Sequence, residues 1–250
     1  MINAVAPALL SLVIPCYNES DRIDLLFAGL SSFKQKWPGP FEVIIVNDGS
    51  KDNFEQLALN HEFYLHNKDI VSIYSQANTG KGGALRNGVL KAKGKFILTL
   101  DADMSTPPEE LIRWYAMWGG APADNTIYTG SREHKDSVIK KNNNRKVAGN
   151  IFNLMVRVLT PLNMRDTQCG FKLYPAGEAK KIFGELQTFG WAHDVELLYR
   201  AHLDNVKIVE MPLVWNAVEG SKISVLGDGM KMIVEILTIV KRIRAERAKK

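Results

Sequence analysis

The sequence predicts an α/β fold in which one mostly parallel β-sheet is flanked by helices within a single domain. Short apolar runs alternate with longer amphipathic segments, an order typical of parallel strands connected by helices. A chain of 250 residues, of which 46% are hydrophobic and 24% charged, can also bury one large core. The predicted strands cover residues 10–14, 41–46, 70–74 and 96–100. In such a sheet, the carboxyl ends of the strands form the edge at which ligands gather.

The first two strands are each followed by a polar segment. Residues 10–14 are predicted as a strand rather than a signal peptide, because no basic segment precedes them. After them come Pro15, Tyr17 and Glu19, and the second strand leads into Asp48 within Asn-Asp-Gly-Ser. A turn would account for this second segment by itself. Its place at the edge of the sheet also makes the Asp48 carboxylate a candidate to hydrogen-bond a base or a ribose.

A glycine-rich segment, residues 80–88, follows the third strand and opens a predicted helix. It contains Lys81 and Gly82, and its glycines would let the backbone approach a ligand closely. It is not a P-loop, because no Gly-Lys-Ser/Thr follows at the required spacing. It is not a dinucleotide-binding fingerprint either, because Leu85 occupies the third glycine position. The alternative interpretation is a flexible entry to the helix.

Two carboxylates, Asp101 and Asp103, follow the fourth strand. In extended backbone, side chains two positions apart point the same way, so both would address one divalent cation and the phosphates it carries. The alternative is that Asp103 starts a turn and caps the next helix, since Met-Ser-Thr-Pro-Pro follows it. Asp-x-Asp is common by chance, so the rest of the chain must decide between the two interpretations.

A cationic loop and an apolar stretch come next. The loop, residues 131–146, includes Arg132 and Arg145. The apolar stretch covers residues 147–164, and Pro161 is predicted to end or kink any helix within it.

Two polar segments in the second half of the chain are candidates for a site. Residues 166–172 begin with Asp166 and are too polar for a core, although a turn with Cys169 as a small buried side chain would also explain them. Further on, Asp194 is either a helix N-cap or a base that projects into the site. His193 beside it is predicted to be packed or exposed rather than a ligand.

The last part of the chain, residues 229–250, is predicted as an amphipathic basic helix that follows a domain covering residues 1–228. Docking of its apolar stripe onto the sheet is the expectation. Lying on an anionic membrane surface is the alternative, and the apolar stretch 147–164 raises the same alternative. The stripe consists of Met232, Ile233, Ile236, Leu237, Val240 and Ile243.

The charge balance argues against a nucleic-acid-binding surface. Lys and Arg exceed Asp and Glu by 32 to 27, and residues 241–250 carry the whole excess. The two cysteines, Cys16 and Cys169, are far apart, so we expect no disulfide framework or zinc cluster and a reducing cytoplasm. No uncharged apolar run reaches the roughly 18 residues of a membrane span. The protein is therefore predicted to be soluble or bound to a membrane surface.

Taken together and in order, short strings of this sequence resemble the inverting family 2 glycosyltransferases. Within that family they resemble the polyprenyl-phosphate sugar synthases, among them the dolichyl-phosphate β-glucosyltransferases. The resemblance implies a GT-A fold, a Rossmann-like sheet flanked by helices. Each string is weak alone, but the ordered set is specific. The strings lie at residues 13–19, 46–50, 78–84, 101–103, 130–132, 166–172 and 194–196.

This resemblance implies that the donor is a nucleotide sugar and that Mg²⁺ or Mn²⁺ is the cofactor. Asp101 and Asp103 would hold the cation, and Lys222 would close over the diphosphate. The resemblance implies UDP-glucose as the donor, and mannosyl relatives carry an arginine where Asn216 stands, which disfavours GDP-mannose. The implied nucleotide-sugar-binding residues are Pro15, Tyr17, Glu19, Asp48, Lys81, Gly82, Asp101 and Lys222.

The expected acceptor is a polyprenyl phosphate at the cytoplasmic face of a membrane, positioned by Arg132 and Arg145, because guanidinium groups fit phosphate oxygens. Asp103, Asp166 and Asp194 are the implied catalytic residues, with Asp166 orienting the donor sugar or the metal. One alternative is a soluble transferase that acts on a sugar or protein hydroxyl, with Asp194 as its base. Another is a catalytically silent nucleotide-sugar-binding scaffold, which the intact carboxylate pair disfavours.

Overall fold

The computed structural model describes residues 9–140, 146–216 and 225–249, with side chains from residue 153 and from residue 234 in the last two stretches. The strands in these stretches are β1 (Leu10–Cys16), β2 (Phe41–Asn47), β3 (Val71–Ser75), β4 (Phe96–Thr99), β5 (Thr126–Gly130), β6 (Val138–Lys140), β7 (Lys172–Pro175), β8 (Lys207–Met211) and β9 (Val214–Asn216). The helices are α1 (Ile23–Lys36), α2 (Phe54–Asn60), α3 (Glu62–Leu65), α4 (Lys81–Lys91), α5 (Glu110–Trp118), α6 (Lys146–Leu159), α7 (Ala176–Gly184), α8 (His193–Leu203) and α9 (Val225–Arg247), with a 3₁₀ turn at Ser20–Arg22.

Seven strands form one sheet in the order β3-β2-β1-β4-β7-β5-β8. The pairs β1–β2, β1–β4, β2–β3 and β5–β8 are parallel, whereas β7 runs antiparallel to both of its neighbours. The prediction of a mostly parallel sheet flanked by helices is confirmed, and the four predicted strands are present with slightly shifted ends. β6 and β9 form a separate small sheet that was not predicted, because strands of three residues carry too little sequence pattern.

Both faces of the sheet are buried. In β1, Leu12 and Ile14 pack into a cluster with α1 and α5, whereas Val13 packs with α4 and α7 on the opposite face. All three side chains are fully shielded from solvent. Burial of side chains of this size stabilises a fold by about 1.5–3 kcal/mol each. The continuous apolar run in β1 follows from this arrangement, because both of its faces meet helices.

The C-terminal helix α9 packs on other helices rather than on the sheet. Its apolar stripe joins a cluster built from α6, α8 and the segment before α8. The prediction that this apolar stripe packs directly on the sheet is therefore wrong, because α7 and α8 already cover that face of the sheet. Leu237 remains 49% exposed, and the side chains of Met232 and Ile233 lie outside the described residues. Among the α9 side chains that the structure describes, the buried ones are Ile236, Ile239, Val240 and Ile243.

A buried ionic network fastens α9 to α8. Glu196 of α8 is fully buried and accepts hydrogen bonds from Arg200 Nε at 2.9 Å and from Arg242 Nη2 at 2.5 Å. Arg242 and Arg247 belong to the basic run of α9, and Arg247 pairs with Asp204. The membrane interpretation assigned the positive charge of this run to anionic lipids. Two of these charges, Arg242 and Arg247, instead pair with carboxylates of the protein.

The predicted boundaries of the apolar stretch and of the C-terminal helix agree with the structure only in part. Helix α6 ends at Leu159, ahead of Pro161, as predicted. Helix α9 begins at Val225, so the predicted boundary between residues 228 and 229 falls inside a helix, and that division of the chain stays a prediction. Among the described residues, no helix is both long enough and apolar enough to cross a membrane.

Candidate functional site

Polar residues collect at the edge formed by the carboxyl ends of β1, β2, β3 and β4. Backbone hydrogen bonds hold the loops side by side: Asp48 N donates to Cys16 O at 2.8 Å, and Gln76 N donates to Asn47 O at 3.0 Å. The loops that follow these neighbouring strands are therefore in contact, as the sequence predicts for a parallel sheet.

The Asp48 carboxylate is buried and organises the loop that leads to α4. Its Oδ1 accepts hydrogen bonds from Thr79 N at 2.9 Å and from the Gln76 side-chain amide at 2.7 Å. Its Oδ2 accepts from Gly80 N at 2.8 Å. Both oxygens thus have partners within the protein, which agrees with the turn interpretation. The predicted contact of Asp48 with a base or a ribose stays a prediction.

The loop after β1 carries the other residues predicted to hold the nucleotide. Pro15 lies within β1, and Tyr17 and Glu19 are half-buried just beyond it. Asn18 N donates to Ser50 Oγ at 2.9 Å, so this loop lies against the turn that contains Asp48. The structure brings the predicted nucleotide-binding residues of β1 and β2 together.

Lys81 and Asp101 form an ion pair at the edge of the sheet. Lys81 is the first residue of α4, and its Nζ lies 2.6 Å from Asp101 Oδ1. Burial lowers the pKa of Lys81, but the charge of Asp101 and of two further carboxylates outweighs burial and raises the pKa above its ordinary value. The ammonium group therefore stays charged at neutral pH. It is a fixed cation beside the predicted metal ligand.

Gly82 serves packing within the protein. Its backbone N donates to Phe189 O at 3.0 Å, and a Cβ at this position would lie 2.7 Å from His193 Cβ. The lack of a side chain thus lets the start of α4 contact the segment before α8. This contact explains the glycine without a ligand, so direct binding of the nucleotide sugar by Gly82 stays a prediction.

Asp101 and Asp103 lie in a turn and not in extended backbone. β4 ends at Thr99, Met104 has a left-handed φ of 53°, and Met104 N donates to Asp101 O at 3.3 Å. Asp103 Oδ1 accepts hydrogen bonds from Ser105 N at 2.9 Å and Ser105 Oγ at 2.6 Å. The expectation that the two side chains share a direction because of strand geometry is therefore wrong. Asp103 makes the predicted turn but does not cap α5.

The carboxylates nevertheless fit a cation that arrives with a phosphate ligand. The Asp101 side chain is 36% exposed, and a Cβ on Gly170 would lie 2.5 Å from Asp101 Oδ2, so the carboxylate has a defined position. Within the described ranges, no group of three or more His, Cys, Asp or Glu side chains could hold a metal by itself. One or two carboxylates, completed by substrate phosphates and water, are the ligands with which proteins usually hold Mg²⁺.

Arg132, which follows β5 after Ser131, is held by Asp166. Arg132 Nε and Nη2 lie 2.7 Å and 2.9 Å from the two carboxylate oxygens of Asp166. Burial raises the pKa of Asp166, but the charge of Arg132 outweighs burial and keeps the pKa below its usual value. Asp166 is 1% exposed and both of its oxygens pair with Arg132, so its predicted role in orienting the donor sugar or the metal stays a prediction. It fixes the guanidinium group of Arg132.

Asp194 lies in the first turn of α8 and is not the N-cap, which is Ala192. It is buried, with Oδ1 at 2.6 Å from Nζ of the buried Lys172 and Oδ2 at 3.5 Å from His193 Nε2. Burial raises the pKa of Asp194, but the charges of His193, Lys172 and Lys81 outweigh burial and lower the pKa. A buried carboxylate with a lowered pKa is a poor proton acceptor at neutral pH.

A polar cavity is lined by both Asp101 and Arg132. It thus brings a predicted metal ligand and a predicted phosphate ligand to one place. Gln168 lies at the same cavity, and two aromatic residues, Phe171 and Trp215, contribute to its wall. The remaining lining residues are Ser105, Thr106, Cys169 and Gly170.

Two predicted site residues, Arg145 and Lys222, lie outside the described residues. The sequence also left three residues of this region without a role. Gln168 and Lys172 belong to a segment that the sequence marked as unusually polar, which is the signal that could have identified them. Trp215 lies in the three-residue strand β9, and its sequence carries no comparable signal.

Comparisons with known proteins agree with the fold and with the sequence strings. Residues 11–183 match the model of the family described as Glycosyl transferase family 2. Dolichyl-phosphate beta-glucosyltransferase of Saccharomyces cerevisiae is 36% identical over 245 residues, which cover 92% of this chain and 73% of that protein. The human enzyme of the same name is 34% identical over 240 residues, which cover 92% of this chain and 74% of that protein.

A solved structure of glucosyl-3-phosphoglycerate synthase from Mycobacterium tuberculosis, in complex with Mn²⁺, UDP-glucose and phosphoglyceric acid, has a similar fold. The TM-score is 0.67 at 16% identity, with 94% of this chain and 80% of that chain covered. The likeness confirms the GT-A fold. Together with the family match over most of the chain, it leads to one conclusion: the chain belongs to glycosyl transferase family 2 and is related to the dolichyl-phosphate β-glucosyltransferases.

Proposed function

We propose that this protein transfers glucose from UDP-glucose to a polyprenyl phosphate, with inversion at the anomeric carbon and with Mg²⁺ or Mn²⁺ as cofactor. The observation that supports it most is the cavity that Asp101 and Arg132 line together. Such a cavity would separate a leaving diphosphate, held through a cation at Asp101, from an attacking phosphate at Arg132. The names of the relatives, and the Mn²⁺ and UDP-glucose in the similar solved structure, support the same reaction.

On the donor side, Asp101 and Asp103 would hold the cation. The cation, when bound, would neutralise the charge that develops on the nucleoside diphosphate as it leaves. Lys81 adds a second positive charge next to Asp101, 2.6 Å from its carboxylate. Lys222 is proposed to close over the diphosphate. The nucleoside is proposed to lie along Pro15, Tyr17, Glu19, the Asp48 turn and the start of α4 at Gly82.

On the acceptor side, Arg132 is proposed to bind the phosphate, together with Arg145. Asp166 accepts hydrogen bonds from Nε and Nη2 of Arg132. Nη1 takes no part in this pair and is proposed to donate a hydrogen bond to an oxygen of the acceptor phosphate. Bidentate pairing with a buried carboxylate also limits the orientations that the guanidinium can adopt. Asp166 is therefore proposed as a positioning residue for Arg132.

The reaction needs no proton transfer on this assignment. A phosphate monoester, with a second pKa of about 6, is already ionised at neutral pH. One of its oxygens attacks the anomeric carbon from the face opposite the diphosphate; the new carbon–oxygen bond forms as the bond to the diphosphate breaks, and that electron pair leaves with the diphosphate. The lowered pKa of Asp194 and its ion pair with Lys172 suit a positioning role rather than a base. This favours a phosphate acceptor over a hydroxyl acceptor.

Asp194→Asn is expected to reduce turnover less than about tenfold, because asparagine can still accept a hydrogen bond from Lys172 and no base is required. A general base at this position would contribute about 10²–10⁴-fold. The measurement is kcat across the neutral pH range, with circular dichroism to verify folding. A loss above 10³-fold in a folded variant would favour the hydroxyl-acceptor alternative.

A screen of nucleotide sugars against a short polyprenyl phosphate tests the proposed function as a whole. We expect UDP-glucose to be used in preference to GDP-mannose, and the product to be a β-linked glucosyl phosphate. Transfer to free sugar or protein hydroxyls instead would overturn the acceptor assignment. Metal-dependent binding of UDP-glucose without transfer to any acceptor would favour the scaffold alternative.

The acceptor is proposed to reach the site at the cytoplasmic face of a membrane, on which α6 and α9 would lie. These helices pack together, and each leaves apolar side chains in solvent. Leu154 and Val158 of α6 are 54% and 75% exposed, and Val234 and Leu237 of α9 are 57% and 49% exposed. Residues three or four positions apart share one face of a helix. Exposed Lys241 and Arg244 on α9 add positive charge that suits anionic lipids.

Replacing Val158 and Leu237 together by glutamate is expected to weaken binding to anionic vesicles at least about tenfold, because both changes remove apolar contact and add repulsion. Co-sedimentation with vesicles containing anionic lipid measures this effect. Leu57→Glu on α2, which changes a side chain of 44% exposure on another helix, is the control. Equal binding of the double variant and the control would exclude this surface.

A further inference from the structure

The cavity at Asp101 and Arg132 has the position that the transferred sugar requires. In an inverting displacement, the sugar lies between the leaving group and the attacking group. The proposed function, on which this inference rests, places the diphosphate at Asp101 and the acceptor phosphate at Arg132. Because both residues line one cavity, the reacting end of the hexose would lie at that cavity.

Gln168 has an unused hydrogen-bond donor at this cavity. Its side-chain Nε2 is buried and has no hydrogen-bond partner in the part of the chain that the structure describes. About 90% or more of buried polar groups in folded proteins have a partner. An unsatisfied buried amide on a residue that lines a cavity is a candidate to donate a hydrogen bond to a ligand bound there.

Hydrogen bonds fix the loop around Gln168, so the backbone of Gln168 has a defined position. Its backbone N donates to Asp166 Oδ1 at 3.1 Å. On one side, the Thr167 hydroxyl donates to a side chain of α6 at 3.2 Å. On the other side, the Thr99 hydroxyl donates to Gly170 O at 2.9 Å. The polar groups that fix this loop are satisfied on both sides, whereas the Gln168 amide donor is left unpaired.

The other lining residues suit a sugar better than a phosphate. A phosphate is matched by cations and hydrogen-bond donors, and a carboxylate at the same site repels it. Here the Asp101 carboxylate lines the cavity together with Ser105 and Thr106, whose hydroxyls can donate or accept hydrogen bonds. The surface of the cavity is predominantly polar. A hexose, whose hydroxyls both donate and accept hydrogen bonds, matches this mixture of groups.

We infer that the Gln168 side-chain amide donates a hydrogen bond to one hydroxyl of the donor hexose and thereby helps to select the sugar. A neutral hydrogen bond of this kind contributes discrimination of about tenfold between a sugar that has the hydroxyl and one that lacks it. Gln168 is thus assigned as a specificity-determining residue.

Gln168→Met tests this assignment, because methionine has a similar length and no amide. The affinities for UDP and for UDP-glucose are measured by calorimetry in the presence of Mn²⁺, and transfer is measured with UDP-glucose and its monodeoxy analogues. We expect unchanged UDP affinity and a loss of about tenfold in affinity for UDP-glucose. The wild-type preference for glucose over one monodeoxy analogue should disappear in the variant. Gln35→Met, at an exposed position of α1, is the matched control.

Full retention of the wild-type preference among the deoxy donors would overturn the inference. So would a variant whose only change is a higher KM for the polyprenyl phosphate, because Gln168 would then face the acceptor. If the wild-type protein binds UDP-glucose but transfers it to no polyprenyl phosphate, the proposed function fails, and the binding comparison alone decides the role of Gln168. Gln168→Ala, measured in the same way, replaces the methionine variant if circular dichroism shows that the latter does not fold.

Discussion

Asp101→Asn is expected to lower kcat/KM for glucose transfer about 10²–10³-fold, the usual effect of removing one group that stabilises charge in a transition state. Asparagine keeps the size of the side chain and its fit against Gly170 but removes the charge that would hold the cation. Lys81, now 2.6 Å from Asp101, would also lose the ionic partner that positions it. The measurement is steady-state transfer over a range of Mg²⁺ and Mn²⁺ concentrations, in which the variant should need more metal than the wild type.

The matched control is Asp124→Asn. Asp124 also pairs with a lysine, Lys95, at 2.9 Å, but its side chain is 68% exposed and it precedes β5, on a strand end away from the site. We expect no change in turnover or in the metal requirement, because exposed ion pairs contribute little. If Asp101→Asn has wild-type turnover at wild-type metal concentrations, the assignment of the cation to Asp101 is wrong.

The loop that contains Asp101 shows how much a local pattern can predict. The apolar run before it predicts β4, and the parallel order predicts that the loop lies at the edge with the loops of β1 and β2. The direction of Asp103 could not be predicted, because the chain bends at Met104, which has a left-handed φ of 53°. Left-handed backbone at a residue other than glycine has little sequence signal. Ser105 donates a hydrogen bond to Asp103 Oδ1. This partner can be identified only once the bend is known.

The pairings of the other predicted carboxylates depend on contacts between distant parts of the chain. Asp166 faces Arg132, 34 residues earlier, and Asp194 faces Lys172, 22 residues earlier. Sequence spacing identifies each of these four residues as unusual but does not indicate which charges meet. The strand β7 causes both pairings, because it enters the sheet antiparallel between β4 and β5 and brings the polar segment before it to the site. A strand of four residues that begins with a lysine lacks the apolar pattern that predicts a strand.

Arg132→Ala is expected to lower kcat/KM for the polyprenyl phosphate about 10²–10³-fold, because an arginine held in a fixed orientation would contribute both charge and geometry to the acceptor phosphate. Affinity for UDP should change little, since the proposed diphosphate site lies at Asp101. The measurement pairs transfer kinetics at varied acceptor concentration with calorimetry of UDP binding. Arg113→Ala is the control, because Arg113 has a similar exposure of 35% and pairs with Glu110 on α5.

The alanine variant also leaves Asp166 buried without its partner, and breaking a buried pair costs about 3–5 kcal/mol of folding stability. Arg132→Lys separates this effect from acceptor binding, because lysine retains the charge next to Asp166 and loses the second nitrogen that a phosphate oxygen would use. We expect Arg132→Lys to unfold at nearly the wild-type urea concentration and still to lose more than about tenfold in kcat/KM for the acceptor. A stable lysine variant with wild-type acceptor kinetics would mean that Arg132 stabilises the fold through Asp166 and binds no phosphate. A loss of UDP affinity equal to the loss of transfer would place Arg132 on the donor side instead.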